Sequence, residues 1–183
     1  MAKNTVFTGK AWTFGDDINT ESIMPTSTTL HYDLVIAHVL EHYDPEFAKK
    51  MKPGDFIVAG RNFANSSSRP CGEVLKMIGL AAVICESCAR IFYRNTWNIG
   101  VPVVECPGIT KKVKKGDQLE VDVASGKITN LTTGEVMQAN PAIEPLLQRW
   151  EIGGMVEWIK AHREDYPTLK STVEKAKTSG AAR

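Results

Sequence analysis

The chain has 183 residues, 43% of them hydrophobic, with 22 Lys and Arg against 21 Asp and Glu, for a formal net charge of +1. That length and apolar share suit one globular domain with a full core, and the near-neutral charge removes any electrostatic reason to expect nucleic acid or an anionic membrane as partner. No run of about eighteen apolar residues occurs, and Met1-Ala2-Lys3-Asn4-Thr5 lacks the apolar region of a signal peptide, so the expected location is cytoplasmic.

Residues 5–13 alternate weakly and read as a first strand, followed by a long polar segment over 15–32. A loop of that length inside a compact domain is more often functional than idle. Residues 33–43 read as a helix, and a second short helix starts with Asp44 as N-cap and Pro45 at the first helical position. Lys52-Pro53-Gly54-Asp55 is a turn into the apolar run Phe56-Ile57-Val58-Ala59-Gly60, which reads as a buried strand.

From there the pattern alternates: helix over 70–79, strand over 80–85, helix over 87–98 and strand over 101–106. Such alternation implies parallel pairing with helices packed on the sheet. The short segments 118–123, 127–131 and 135–139, divided by Ser125-Gly126 and Thr133-Gly134, read as an antiparallel meander. A terminal helix carrying Trp150, Met155, Trp158 and Ile159 on one side covers the sheet, and 168–183 is a small, polar tail after a single domain over 1–167.

Between the buried strand and the helix at Pro70 lies Asn62-Phe63-Ala64-Asn65-Ser66-Ser67-Ser68-Arg69. Three hydroxyls followed by a guanidinium, at a helix N-terminus, can bind a carboxylate or phosphate. The residues alone say no more than anion site.

Other motifs carry less. Cys71, Cys85, Cys88 and Cys106 are expected as thiols in a reducing compartment. Cys85-Glu86-Ser87-Cys88 is formally a C-x-x-C, but a zinc or iron–sulfur site needs a matching second pair, so core packing accounts for it and no metal is expected. His38-Val39-Leu40-Glu41-His42 matches H-x-x-E-H, yet no third ligand is indicated and surface histidines are the simpler reading. Lys111-Lys112-Val113-Lys114-Lys115 reads as a solvated turn.

Three ordered stretches resemble the small subunit of 3-isopropylmalate dehydratase, the detached swivel domain of the aconitase superfamily. They are Gly15-Asp16-Asp17-Ile18-Asn19-Thr20-Glu21-Ser22-Ile23-Met24-Pro25, then 44–63 with the Ser-Ser-Arg loop, then Ala89-Arg90-Ile91-Phe92-Tyr93-Arg94-Asn95 with Asn98-Ile99-Gly100. The resemblance implies an α/β fold, a swivelling β/β/α domain with a mixed sheet flanked by helices. It also implies a large partner subunit, in a heterodimer or heterotetramer, that holds a [4Fe–4S] cluster acting as Lewis acid on a small di- or tricarboxylic acid.

By motif position, Ser67 resembles the family's catalytic base. Ser68 and Arg69 resemble its carboxylate-binding groups, Ser66 beside them is a further candidate for substrate binding, and Thr20-Glu21, also candidates for substrate binding, align with a Thr-Asp pair that faces the cluster. The stretch Thr26, Ser27, Thr28, Thr29 and His31 falls where the family's specificity loop lies, and differs from it.

The serine loop departs as well, with Ala64 and Ser66 where relatives have glycines, Asn65 for a cysteine, and Pro70-Cys71 for Glu-His. If those glycines serve positive φ, Ala64 and Ser66 are strained. The implied activity is isomerisation of 2-isopropylmalate in leucine biosynthesis. A paralogue acting on 2,3-dimethylmalate, homocitrate or methylcitrate, and a non-catalytic regulatory module, stay open.

Overall fold

Two fully apolar runs form the middle of the molecule. Phe56–Ala59 (β2) and Ala82–Cys85 (β3) are buried at every position, the pattern of strands covered on both faces. In a computed structural model describing residues 4–25, 32–66 and 69–165, they pair in parallel with each other and with Val6–Thr13 (β1) and Val103–Glu105 (β4). Gln118–Asp122 (β5), Lys127–Asn130 (β6) and Val136–Gln138 (β7) alternate buried and exposed positions and form the expected antiparallel meander. The result is one mixed seven-stranded sheet of order β4-β3-β2-β1-β5-β6-β7. Strand β1 joins the halves, parallel to β2 and antiparallel to β5.

The helices follow in chain order as Thr20–Ile23 (α1), Tyr32–Ala37 (α2), Phe47–Lys50 (α3), Cys71–Met77 (α4), Arg90–Ile99 (α5), Glu144–Glu151 (α6) and Met155–Ala161 (α7). Edge-to-face rings fix several of them to the sheet. Trp12 meets Phe47 at 5.4 Å, Phe7 meets Trp150 at 5.8 Å, and Phe63 of the serine loop meets Phe92 of α5 at 5.5 Å.

Four expectations need correction. The helix read over 33–43 ends at Ala37 and continues as turns, with Leu40 at φ 55°. Asp44 accepts from the Glu46 N–H in a turn, and α3 begins only at Phe47. The 15–32 segment contains α1, whose N-cap Asn19 accepts from the Ser22 N–H. The terminal helix is two helices, because Gly153 (φ 104°) and Gly154 (φ 115°) turn the chain. At Gly154 a Cβ would lie 2.6 Å from the Asn98 carbonyl oxygen, and Lys76 Nζ binds the carbonyls of Ile99 and Gly153. This junction holds α7 to the end of α5. The tail over 168–183 lies outside the described residues.

Asp55 shows how the turn before β2 is held. Its buried carboxylate accepts from the backbone N–H of Lys10 (3.0 Å) and Lys52 (2.9 Å) and from Trp12 Nε1 (3.0 Å). Asp55→Ala strands one buried and two part-buried donors, each formerly paired with a charge, and is expected to cost about 3 kcal/mol, read as a lower urea midpoint at unchanged slope.

Candidate active site

Parallel pairing of β1 and β2 brings their C-terminal ends, and the loops that follow them, to the same edge of the sheet. The loops 14–19 and 60–66 are then sewn together. Gly60 N–H donates to Gly15 O (3.1 Å), Asp17 N–H to Arg61 O (2.8 Å), Asn65 N–H to Ile18 O (3.2 Å) and Thr20 N–H to Asn65 O (3.0 Å). Side chains add to the seam. Asp16 accepts from the Arg61 N–H (2.7 Å) and guanidinium (2.9 Å), and Asn62 Nδ2 donates to Asp17 Oδ1 (2.8 Å).

The hydrogen bond from the Arg61 N–H, then its guanidinium, holds the Asp16 carboxyl below its usual pKa. A depressed carboxylate stabilises above its unfolded value and loses that contribution as acid carries the pH down through the folded one, so this link loosens only in strong acid.

Gly60 is needed for this approach. A Cβ there would sit 2.0 Å from Asp16 Oδ1 and 3.0 Å from the Asp16 backbone nitrogen. Gly60→Ala is expected to expel the Asp16 carboxylate, cost about 2 kcal/mol and speed hydrogen exchange at the Arg61 amide.

The seam delivers the predicted residues to each other. Thr20 Oγ1 and Ser66 Oγ are 2.6 Å apart, and Cys71 Sγ donates to Thr20 O at 3.3 Å. Burial pushes the Cys71 thiol up to about 12, so this cysteine is a donor and no nucleophile. Arg69, half-buried just before α4, has a buried Nε with no hydrogen-bond partner among the described residues. A buried guanidinium N–H is suited to an acceptor, and a planar carboxylate fits its fork. Glu21 lines an adjoining cavity of 260 Å³ with Asn19, Ser22, Pro25, Glu41 and His42. Ser67 and Ser68, and the specificity stretch Thr26, Ser27, Thr28, Thr29 and His31, lie outside the described residues.

The loop also carries strain. Asn62, Ala64 and Ser66 have φ of 56°, 53° and 72°. For Ala64 and Ser66 this left-handed region costs about 1 kcal/mol each, so the strain expected if glycine conformations are kept is present. The loop holds because the seam over-determines it.

Residues 15–107 match the aconitase C-terminal domain family. A 3-isopropylmalate dehydratase small subunit of Methanopyrus kandleri is 45% identical over 158 residues, spanning 85% of this chain and 93% of that one. This chain belongs to the 3-isopropylmalate dehydratase small-subunit family. An isopropylmalate/citramalate isomerase small subunit of Methanocaldococcus jannaschii is 43% identical over 161 residues, covering 85% of this chain and 95% of its own. The crystal structure of a 3-isopropylmalate dehydratase from the same organism superposes with a TM-score of 0.80 at 32% identity, over 90% of this chain and 99% of that one. The α/β swivel fold with its mixed sheet is that of the dehydratase small subunits.

Sequence reasoning passed over two residues of this edge. Glu41 and His42 were weighed only as parts of a metal motif, yet they share the Glu21 cavity. The motif itself dissolves in the structure: α2 ends before His38, whose Nδ1 pairs with Glu41 Oε2 at 2.5 Å, and no metal-ligating group among the described residues includes either histidine. The lysine run is a turn as expected, with Lys112 paired to Glu135 and Lys115 to Asp44.

Proposed function

We propose that this chain is the small subunit of a heteromeric hydro-lyase that converts 2-isopropylmalate to 3-isopropylmalate through the unsaturated acid, in leucine biosynthesis. The observation that carries this reading within the family is the Nε of Arg69, buried without a partner among the described residues; the Arg69 charge acts on Cys71, whose thiol in turn bonds Thr20 O. That Nε offers a carboxylate site at the position where the Ser-Ser-Arg motif predicts one.

Ser67 Oγ takes the proton from the carbon next to the bound carboxylate. The electrons of that C–H bond become the carbon–carbon double bond, and the hydroxyl on the neighbouring carbon departs. Rehydration returns the proton and the hydroxyl to exchanged carbons. A serine alkoxide is far too basic to persist at neutral pH unless nearby donors stabilise it. Arg69 and the loop N–H groups are suited to that, each contributing about 3 kcal/mol when preorganised in a site closed to water.

A [4Fe–4S] cluster supplies Lewis-acid assistance to the departing hydroxyl. The cysteines here do not fit one. Cys71 is committed to Thr20 and Cys106 stands apart, while the one group of potential ligands among the described residues has two thiols and a carboxylate. We therefore assign the cluster to a large subunit that closes over the loop edge, and expect the isolated chain to be inactive. No helix among the described residues is long and apolar enough to cross a membrane, which is compatible with a cytoplasmic complex.

A second substrate has a specific observation behind it, since the M. jannaschii relative is named for citramalate as well as isopropylmalate. The test is anaerobic co-expression with a large subunit from the same organism, following the unsaturated acid by ultraviolet absorbance. The panel is 2-isopropylmalate, citramalate, 2,3-dimethylmalate, homocitrate and methylcitrate. Turnover only with both subunits, fastest on 2-isopropylmalate, is expected. Preference for another malate would reassign the substrate, and a stable complex inert to the whole panel would overturn the catalytic reading in favour of a regulatory module.

A further inference from the structure

Beside the substrate loop, at the ends of β3 and β4, three ligand atoms converge that the reaction does not use. Cys85 closes β3, Cys88 lies three residues on, and Glu105 closes β4 next to Cys85 in the parallel ladder. The two Sγ atoms and a Glu105 carboxylate oxygen all lie within 4.8 Å of one another. Glu105 Oε1 accepts from the Cys88 N–H at 3.0 Å and from its thiol at 3.5 Å, so the carboxylate is already turned toward the Cys88 sulfur.

We propose that Cys85, Cys88 and Glu105 form a binding site for a thiophilic divalent cation of the Zn²⁺ class. Two sulfurs select a borderline-soft ion over Mg²⁺ or Ca²⁺, which require oxygen ligands. Tetrahedral Zn²⁺ places its thiolates about 3.8 Å apart, a contraction within reach of this cluster. A fourth position opens on a cavity of 170 Å³ lined by Arg90, Tyr93 and Arg94 as well as Cys88 and Glu105. Two thiolates and a carboxylate around a divalent ion leave one negative charge, which either of the two arginines in that cavity can offset. Helix α5, ten residues long, begins at Arg90 with its positive end toward the Cys88 segment, while the Cys88 thiol, burial and Glu105 hold the Cys85 thiol well above its usual pKa, so an ion must displace that proton on binding.

The sequence reading set the C-x-x-C aside for want of a second cysteine pair. Glu105 supplies the third ligand from the neighbouring strand instead, a partner that no spacing rule reveals.

Occupancy would also reach the substrate loop. The segment between the cysteines buttresses it: Asn62 N–H donates to Ser87 Oγ (3.0 Å), Phe63 N–H to Ser87 O (3.0 Å) and Ala89 N–H to Phe63 O (3.0 Å). An ion joining Cys85 and Cys88 to Glu105 ties that buttress to β4.

The test is a titration of the untagged, reduced full-length chain with Co²⁺ and then Zn²⁺, without air. One equivalent of Co²⁺ is expected to give the intense visible bands of a tetrahedral thiolate site, which Zn²⁺ abolishes. Cys88→Ser should remove the bands, Glu105→Gln should weaken binding by about 10- to 100-fold, and Cys106→Ser should change nothing. Alkylation mapped by peptide mass gives a reading that needs no variant, with Zn²⁺ protecting Cys88. Absence of the bands at millimolar Co²⁺, bands that survive both Cys88→Ser and Glu105→Gln, or Cys88 alkylated equally with and without Zn²⁺ would each overturn the assignment.

Discussion

Ser67→Ala is expected to slow kcat of the assembled enzyme by about 10²- to 10⁴-fold while leaving KM for 2-isopropylmalate within a few-fold of wild type. A general base contributes where the proton moves, so removing it raises the barrier far more than it weakens the ground-state complex. The seam between 14–19 and 60–66 is held by backbone hydrogen bonds and by side-chain links of Asp16 and Asn62. Its bonds run through Gly15, Asp16, Asp17, Ile18 and Thr20 on one side and Gly60, Arg61, Asn62, Asn65 and Ser66 on the other. Loss of turnover with an unchanged melting curve is therefore the expected pair of results. Wild-type kcat would move the base elsewhere on this edge, and Glu21 would be the first residue to test.

Arg69→Lys is expected to lower kcat/KM by about 100-fold, equivalent to roughly 2.7 kcal/mol, with much of the loss in KM. Lysine keeps the charge but not the planar fork, and it has no donor where Nε lies buried. Stability should move the other way. In the free chain that Nε is desolvated without a partner among the described residues, so replacing it relieves a cost and should leave the melting temperature equal or slightly higher. A structural arginine would behave oppositely, with stability and activity falling together, so the two readouts separate the roles.

Much of the architecture was legible because its signals are local. Phe56–Ala59 and Ala82–Cys85 announce strands buried on both faces, and Gly126 (φ 74°) and Gly134 (φ 79°) take the left-handed angles that the turns of the meander require. The strain at Ala64 and Ser66 was also readable, from which residues stand where the family has glycine.

What sequence could not supply was set by contacts distant along the chain. That β1 lies between β2 and β5 depends on pairings with residues 56–58 on one side and 118–122 on the other. The split between α6 and α7 follows from Gly154 pressing on the Asn98 carbonyl, some fifty-odd positions earlier along the chain, and periodicity alone extends straight through it. The Asp16–Arg61 link and the meeting of Glu105 with Cys85 and Cys88 arise in the same way, from loops and strand ends that only parallel pairing brings together.

A chain that brings the base to a site completed by another subunit must move a proton at the reacting carbon only in the assembled enzyme, and hydrogen exchange reads that step. The assembled enzyme would be incubated with 2-isopropylmalate in D₂O under anaerobic conditions, and deuterium at the carbon beside the carboxylate would be read by NMR in the recovered acids. Wild-type complex should incorporate it, whereas the isolated chain and the complex carrying Ser67→Ala should not, although the variant still binds the substrate. Incorporation at the wild-type rate by the Ser67→Ala complex would show that Ser67 is not the base.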